Sequence, residues 1–244
     1  MKTLLINGSP KKKRSVSGFF LDMESFFTGG QRIKETLRNK SDHERILGKL
    51  DDIDNVVFCL PLYVDGVPSH VLYFMKDMET YCREKDIHVN IYVISNGGFI
   101  EGRQNAWLMQ VFENFCTRSG NTWCGGIGIG GGVMLNVMRI LLVVYAGILV
   151  LNIVLNGVAE GNWLPVEAFQ NFGQQAFMTL FFSCSVIFYE LLMAGAIRKG
   201  KTFGVRFTRA MMPSFLFILV ADIFFVIMSV FQGGIFKGWL SKKE

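Results

Sequence analysis

Hydrophobic and polar positions alternate in two ways along the first half of the chain. Short apolar runs at residues 2–7, 56–60, 88–95 and 122–124 end at glycine, proline or asparagine, as buried parallel strands commonly do. Between them, apolar residues recur three and four positions apart, which is typical of helices. With an edge strand at 31–37, this order predicts an α/β fold, a doubly wound parallel sheet of five strands.

The second half of the chain is apolar almost throughout. Runs at 137–158, 174–197 and 211–231 are each long enough, at about 1.5 Å per residue, to cross roughly 30 Å of hydrocarbon. We therefore expect two domains: an α/β domain at residues 1–134, and an all-α membrane domain with about three transmembrane helices at 135–244.

Charge gives this arrangement an orientation. The connector at 198–210 carries five Lys and Arg, whereas the connector at 159–173 carries two Glu and no cation. Positive loops stay in the cytosol, so we expect a multi-pass cell-membrane protein with its N-terminal domain in the cytoplasm. In a two-span alternative, residues 137–158 lie on the sheet as its last helix. This alternative places the cations of the C-terminal tail inside the cell but the more basic connector outside.

Three loops leave strands at one edge of the predicted sheet, at 9–17, 61–64 and 96–99. Ligands bind at this edge in doubly wound folds. The first loop is rich in cations and hydroxyls and precedes a helix, which favours an anion, although a solvated basic turn fits it too. The other two loops are built from Pro, Gly, Asn and aromatic residues, which suit a flat ring. Together the loops indicate a mononucleotide such as FMN.

The residues of these loops resemble a known family. The segments Asn7-Gly8-Ser9-Pro10 with Ser15 and Ser17, 61–69 and 95–102 are similar to the flavodoxin-like NAD(P)H-dependent FMN reductases, over about residues 1–132. The resemblance implies a flavodoxin-like fold, FMN as cofactor and NAD(P)H as co-substrate. It also implies a homodimer.

The resemblance further implies two groups of cofactor-binding residues. The FMN phosphate would be held by Ser9, Ser15, Val16 and Ser17. The isoalloxazine ring would be lined by Pro61, Leu62, Tyr63, Val64, Asn96, Gly97, Gly98 and Phe99. We assign no catalytic acid or base, because flavin chemistry belongs to the cofactor and the protein positions it.

Two other patterns are set aside. The five cysteines lack metal-binding spacing, so we expect free thiols and no metal site. The segment 126–131 matches GxGxxG by letter, but no strand-to-helix unit with a distal acidic residue follows it. We interpret it as a flexible exit from the last strand.

Two functions remain open at this point. The first is a membrane-anchored flavoprotein oxidoreductase that takes electrons from NAD(P)H to an unidentified acceptor, for which a quinone suits the adjacent apolar spans. The second is a non-enzymatic sensor or scaffold in the membrane with a flavodoxin-like domain. The expected partners are a lipid bilayer and a small-molecule or quinone acceptor, with no nucleic acid.

Overall fold

A computed structural model describes residues 1–12 and 15–231 of the chain. Its sheet contains β1 Lys2–Asn7, β2 Gln31–Thr36, β3 Asn55–Pro61, β4 Asn90–Asn96, β5 Thr122–Gly130 and β6 Gly204–Arg209. The strand order is β2-β1-β3-β4-β5-β6 and every neighbouring pair is parallel. The order 2-1-3-4-5 is that of the flavodoxin-like doubly wound fold, which confirms the predicted fold class.

Seven helices accompany the sheet in the described residues. They are α1 Val16–Thr28, α2 Ser41–Leu47, α3 Ser69–Lys85, α4 Ala106–Ser119, α5 Gly132–Glu160, α6 Val166–Lys199 and α7 Ser214–Phe231. Short 3₁₀ turns lie at Leu50–Asp52 and Gly102–Asn105. Residues Met1–Ala210 form one compact unit, and the chain from Met211 onward, which includes α7, forms a second.

The first face of the sheet is covered by α2, α3 and α4. Side chains alternate along β3, so Val56, Phe58 and Leu60 point to this face. The Phe58 ring lies 5.2 Å from that of Phe112 and 6.2 Å from that of Phe74. These contacts place one half of the hydrophobic core between the strands and the three helices.

The second face is covered by α1 and by the C-terminal half of α6. Val186, Met193 and Ile197 of α6 are fully buried, in one cluster with Leu5 and Phe20. At one end Ser185 hydrogen-bonds Thr208 near the end of β6. At the other, the Ile197 carbonyl accepts from Asn55 at the start of β3, at 3.2 Å. Residues 185–197 therefore cross the whole sheet, from its carboxyl edge to its amino edge.

The sheet has six strands where the sequence predicted five. The sixth, β6, lies in the connector at 198–210, and Phe203 donates to the Cys124 carbonyl at 2.7 Å as it enters the sheet. Val205 and Phe207 are half-buried against the core while Arg206 is exposed. This two-residue alternation is what an edge strand needs, and it turns a charged connector into part of the sheet.

The remaining lengths of α5 and α6 form a helical hairpin. Leu135 and Met138 are still buried in the domain, and the Arg139 guanidinium lies over the Phe19 ring at 4.6 Å. Beyond them, residues 140–160 and 166–184 pack together. The turn at 161–165 joins them, with the Trp163 ring against Gly157. We call these residues, 140–184, the hairpin.

Among the described residues, α5 and α6 are the two helices long and apolar enough to cross a membrane, judged by length and composition. Only 6% of the most apolar window of α5 is buried, and 28% of that of α6. The run predicted at 211–231 corresponds to α7, a shorter apolar helix, so a third span stays a prediction. The cations of the tail, at 237, 242 and 243, lie outside the described residues.

Candidate functional site

The predicted binding residues lie on three loops at the carboxyl edge of the sheet. The first loop, 8–15, joins β1 to α1; the second, 62–68, joins β3 to α3; the third, 97–101, follows β4. The strand order reverses between β1 and β3, which is where doubly wound sheets bind ligands. The fold therefore brings the three loops to one rim, which we call the three-loop rim.

The first loop is shaped by backbone contacts. The Ser9 N–H donates to Asn7 Oδ1 at 3.0 Å, and the Lys11 N–H lies 3.5 Å from Ser9 Oγ. The Gly8 N–H donates to the Cys59 carbonyl at 2.8 Å. These bonds turn the chain sharply after β1 and hold Ser9 almost fully buried. Residues 13 and 14 of this loop lie outside the described part of the chain.

Helix α1 begins where the first loop ends. Ser15 is its N-cap, and its Oγ accepts from the Gly18 N–H at 3.0 Å. A hydroxyl that accepts one bond still has a proton to donate. The first N–H groups of any helix lack partners within it, so Val16 and Ser17 add donors beside the positive end of the helix dipole. This geometry suits an anion.

Asn96 links the start of α1, the end of β3 and the second loop. Its Nδ2 donates to Ser17 Oγ at 3.0 Å and to the Leu60 carbonyl at 3.2 Å. The backbone carbonyl of Asn96 accepts a hydrogen bond from the Leu62 N–H at 2.9 Å. The side chain is 5% exposed, so these bonds are shielded from water. One buried residue thus sets the distance between the start of α1, the end of β3 and the third loop.

The second loop carries a tight turn at the surface. Tyr63 and Gly66 exchange two backbone hydrogen bonds, at 3.1 and 2.8 Å. Val64 and Asp65 between them have φ values of 46° and 55°, as in a type I′ turn. A β-branched residue rarely adopts this conformation, and such strain costs on the order of 1–3 kcal/mol. The turn holds Val64 fully exposed and Tyr63 partly exposed.

The third loop lies directly on the end of β5. Gly97 donates to the Ile129 carbonyl at 2.9 Å, and the Phe99 carbonyl accepts from the Gly131 N–H at 2.6 Å. A Cβ added at Gly98 meets no atom within 4 Å, so the space above this loop is open. The Phe99 side chain is 70% exposed at its tip.

The glycine-rich segment 126–131 is not a flexible exit, and that interpretation was wrong. Its residues up to Gly130 lie within β5 and are buried. A Cβ at Gly130 would collide with the Ile100 carbonyl, and one at Gly128 would collide with the Phe207 ring. Glycine is required because the third loop and its neighbours pack directly against the backbone of β5.

Two cavities, each of about 370 Å³, flank the rim. One lies where the third loop, α6 and β6 meet, and an ion pair between Arg209 and Glu101 at 3.5 Å borders it. The other lies beyond the first loop, between α2 and α3, where His43 and Asp77 are hydrogen-bonded at 2.7 Å. None of the twelve predicted residues lines either cavity. Beside the cavities, Tyr63, Val64, Gly98 and Phe99 are exposed, whereas the serines, Asn96 and Gly97 are buried.

Sequence reasoning missed two residues that support the rim. His70 hydrogen-bonds the Gly8 carbonyl through Nε2 at 3.0 Å. Burial lowers the pKa of His70, so the neutral ring donates that proton. Cys59 Sγ donates to the Ser17 carbonyl at 3.0 Å, and burial raises the pKa of this thiol well above its usual value. The only sequence signal for His70 was its place two residues after Pro68, in the first turn of α3.

No family model matches the chain, and no curated protein matches it. Three solved structures share part of its fold with TM-scores of 0.43. The Trp repressor binding protein from Bacillus subtilis is 18% identical and covers 52% of this chain and 86% of that one. A protein from P. pentosaceus described as an NADPH-quinone reductase is 18% identical and covers 52% and 83%. A WrbA-like flavodoxin protein from Agrobacterium tumefaciens is 12% identical and covers 50% and 76%. Likenesses this distant carry no argument about activity, and the fold assignment stands on strand order and register.

Proposed function

We propose that the chain is a membrane-anchored flavoprotein oxidoreductase that binds FMN at the three-loop rim and passes electrons from NAD(P)H to an acceptor. The observation that carries this proposal is the Asn96 side chain, which holds the loops together where the strand order reverses. A quinone is the acceptor class we favour, because it dissolves in the same apolar phase that the hairpin would enter.

The residues present fit FMN in both its parts. The hydroxyls of Ser15 and Ser17 and the first N–H groups of α1 would hold the phosphate, with Ser9 beside them. The ring would lie above the open backbone at Gly98, between Tyr63 and Phe99, whose aromatic surfaces are exposed. The cofactor would supply the electron chemistry. The protein would bind and orient it, and shield one side of the ring from water.

The hairpin supports membrane anchoring. Its outward side chains include Val143, Val150, Leu151, Val158 and Phe177, each more than half exposed. A surface this apolar is unfavourable in water and favourable in lipid. The cationic connector at 198–210 lies on the domain side of the hairpin, so the positive-inside rule would place the domain in the cytoplasm.

A polar stripe on α6 supports self-association. Glu167, Gln170, Asn171 and Gln174 are exposed and spaced i, i+3, i+4 and i+7, so they share one side of the helix. Polar side chains within lipid pair across helices. A second copy of this chain, packed on the stripe, would satisfy these amides. Cross-linking from a cysteine placed at Gln174 tests this homodimer.

FMN binding is the first experimental test. Purified full-length protein in detergent should quench FMN fluorescence, and the double variant Ser15→Ala, Ser17→Ala should bind much more weakly because it loses two hydroxyls at the phosphate. Thr117→Ala, which removes an exposed hydroxyl of α4 far from the rim, is the matched control and should bind normally. Circular dichroism checks that each variant is folded.

Enzyme turnover is the second test. NAD(P)H oxidation with a quinone acceptor, lost in the double variant, would support the oxidoreductase. FMN binding without NAD(P)H oxidation by any acceptor would favour the non-enzymatic sensor or scaffold. A folded protein that binds no FMN would overturn the oxidoreductase and favour a scaffold without a cofactor.

A further inference from the structure

The hairpin leaves the domain at the same edge that carries the three-loop rim. Helix α5 begins at Gly132, where an added Cβ would lie 3.1 Å from Asn96 Cβ. Helix α6 reaches the sheet at Ser185, beside Thr208 near the carboxyl end of β6. Both arms of the hairpin therefore join the domain at the carboxyl edge.

The direction of the hairpin follows from the part of α6 that lies on the sheet. Residues 185–197 rise about 20 Å as a helix, which equals the length of a six-residue strand. They run from the carboxyl edge to the amino edge, where Ile197 meets Asn55. The same helix continued backwards, over residues 166–184, projects about 28 Å beyond the carboxyl edge. The paired arm at 140–160 is about 31 Å long.

These lengths match the roughly 30 Å of a bilayer core. With the hairpin in lipid, the membrane surface lies at its base, near Arg139 and Ser185, and the carboxyl edge faces that surface. The hairpin cannot project from the amino edge instead. Residues 166–184 continue α6 from Ser185, which lies at the carboxyl edge, so they would have to pass through the domain to reach the other side.

The rim has side chains suited to a membrane surface. Val64 is fully exposed at the tip of its turn, and Phe99 is 70% exposed on the third loop. Lys11, Lys12 and Arg103 are exposed on the same edge. Apolar tips among cations are what enter the headgroup layer of an anionic leaflet. Burying an apolar side chain is favourable, and this gain opposes the backbone strain at Val64.

We propose that the three-loop rim faces the bilayer, that Val64 and Phe99 enter its headgroup layer, and that the site exchanges its electron acceptor with the membrane surface. The proposal rests on the proposed function, since it requires the hairpin to be in lipid. Anchoring by the hairpin does not by itself require this orientation, because a tethered domain could turn its rim away from the bilayer.

Site-specific fluorescence tests this orientation. In the full-length chain with Cys184→Ser, which removes the exposed thiol and leaves four buried ones, an environment-sensitive probe is attached at Val64→Cys or at Phe99→Cys. The matched control is Glu84→Cys, an exposed position in the last turn of α3 at the amino edge. The proteins are reconstituted into phosphatidylcholine–phosphatidylglycerol vesicles that contain lipids with a quencher near the headgroup.

The proposal predicts that both rim probes lose most of their fluorescence to the lipid quencher and shift to the blue, while the Glu84→Cys probe changes little. Flotation of the vesicles reports anchoring separately. Protein that floats with the vesicles while both rim probes behave like the control would overturn the orientation and leave the anchor standing. Protein that does not float would overturn the anchor and the orientation together, while FMN binding in detergent would still report on the cofactor site.

Discussion

Replacing Asn96 with alanine probes the contact on which the site is built. The wild-type amide donates to Ser17 Oγ and to the Leu60 carbonyl, at 3.0 and 3.2 Å. Both acceptors belong to almost fully buried residues. Alanine removes both side-chain donors and leaves a small void. Ser17 Oγ then lacks a donor, whereas the Leu60 carbonyl keeps its ladder bond from the backbone N–H of residue 96, which pairs with Pro61 in the sheet.

The size of the effect follows from these two bonds. A buried polar group left without its partner costs about 1–3 kcal/mol. Because Ser17 Oγ loses its donor and the Leu60 carbonyl loses only its second bond, we expect Asn96→Ala to lower the free energy of unfolding by about 1–3 kcal/mol. The three loops should also separate, so FMN affinity should fall by more than it does in Ser15→Ala alone.

Equilibrium guanidinium unfolding of the full chain in detergent, followed by near-UV circular dichroism, measures this change. The matched control is Asn114→Ala, an exposed position of α4, where we expect a change within about 0.5 kcal/mol. An Asn96→Ala protein as stable as the control would refute the reasoning, because the three loops would then be held by something other than this amide.

Three further predictions concern the surrounding structure. Burial raises the pKa of Glu24 from 4.5 to about 8. Between these pH values only the folded state keeps the proton, so the free energy of unfolding should fall as pH rises, by up to about 1.4 kcal/mol per pH unit. Glu24→Gln should flatten this pH profile of unfolding. Gly130→Ala should cost about 1–3 kcal/mol or more in the same unfolding assay, through collision with Ile100, whereas Gly98→Ala, which meets nothing, should stay within about 0.5 kcal/mol. In detergent, iodoacetamide should label no thiol other than Cys184 before unfolding, because the other four are buried in the domain. Labelling of more than one thiol in the folded protein, counted by mass spectrometry, would contradict this burial.

The sequence predicted most of the sheet because its strands are local apolar runs. The edge strand at 31–37 was confirmed as Gln31–Thr36. Strand β6 was missed because its arginines resemble a cytosolic connector, and because its partner β5 lies about eighty residues earlier in the chain. The alternation of Val205, Arg206 and Phe207 was the available signal, but a six-residue edge strand gives little of it.

The division of α6 was not readable from the sequence. Lipid and protein core both favour apolar side chains, so the run at 174–197 looked uniform. In the structure, its second half covers the sheet and its first half continues the hairpin. The deciding contacts, Ser185 with Thr208 and Ile197 with Asn55, are long-range and leave no local pattern.

The sequence predicted the positions of the three loops but not the contacts among them. Loop positions follow from strand ends, which the sequence marks with Gly, Pro and Asn. The roles of Asn96, His70 and the β5 glycines depend on which loops touch, and strand order decides that. The distant solved structures do not supply these contacts either.

The most direct test of FMN binding and reduction is an absorbance spectrum of detergent-purified, full-length protein with added FMN, recorded without oxygen before and after NADPH. We expect FMN to stay bound through gel filtration and to give the yellow flavin band, which NADPH bleaches. We also expect the Asn96→Ala protein to lose the band. A folded wild-type protein that emerges colourless, with no flavin retained, would contradict it.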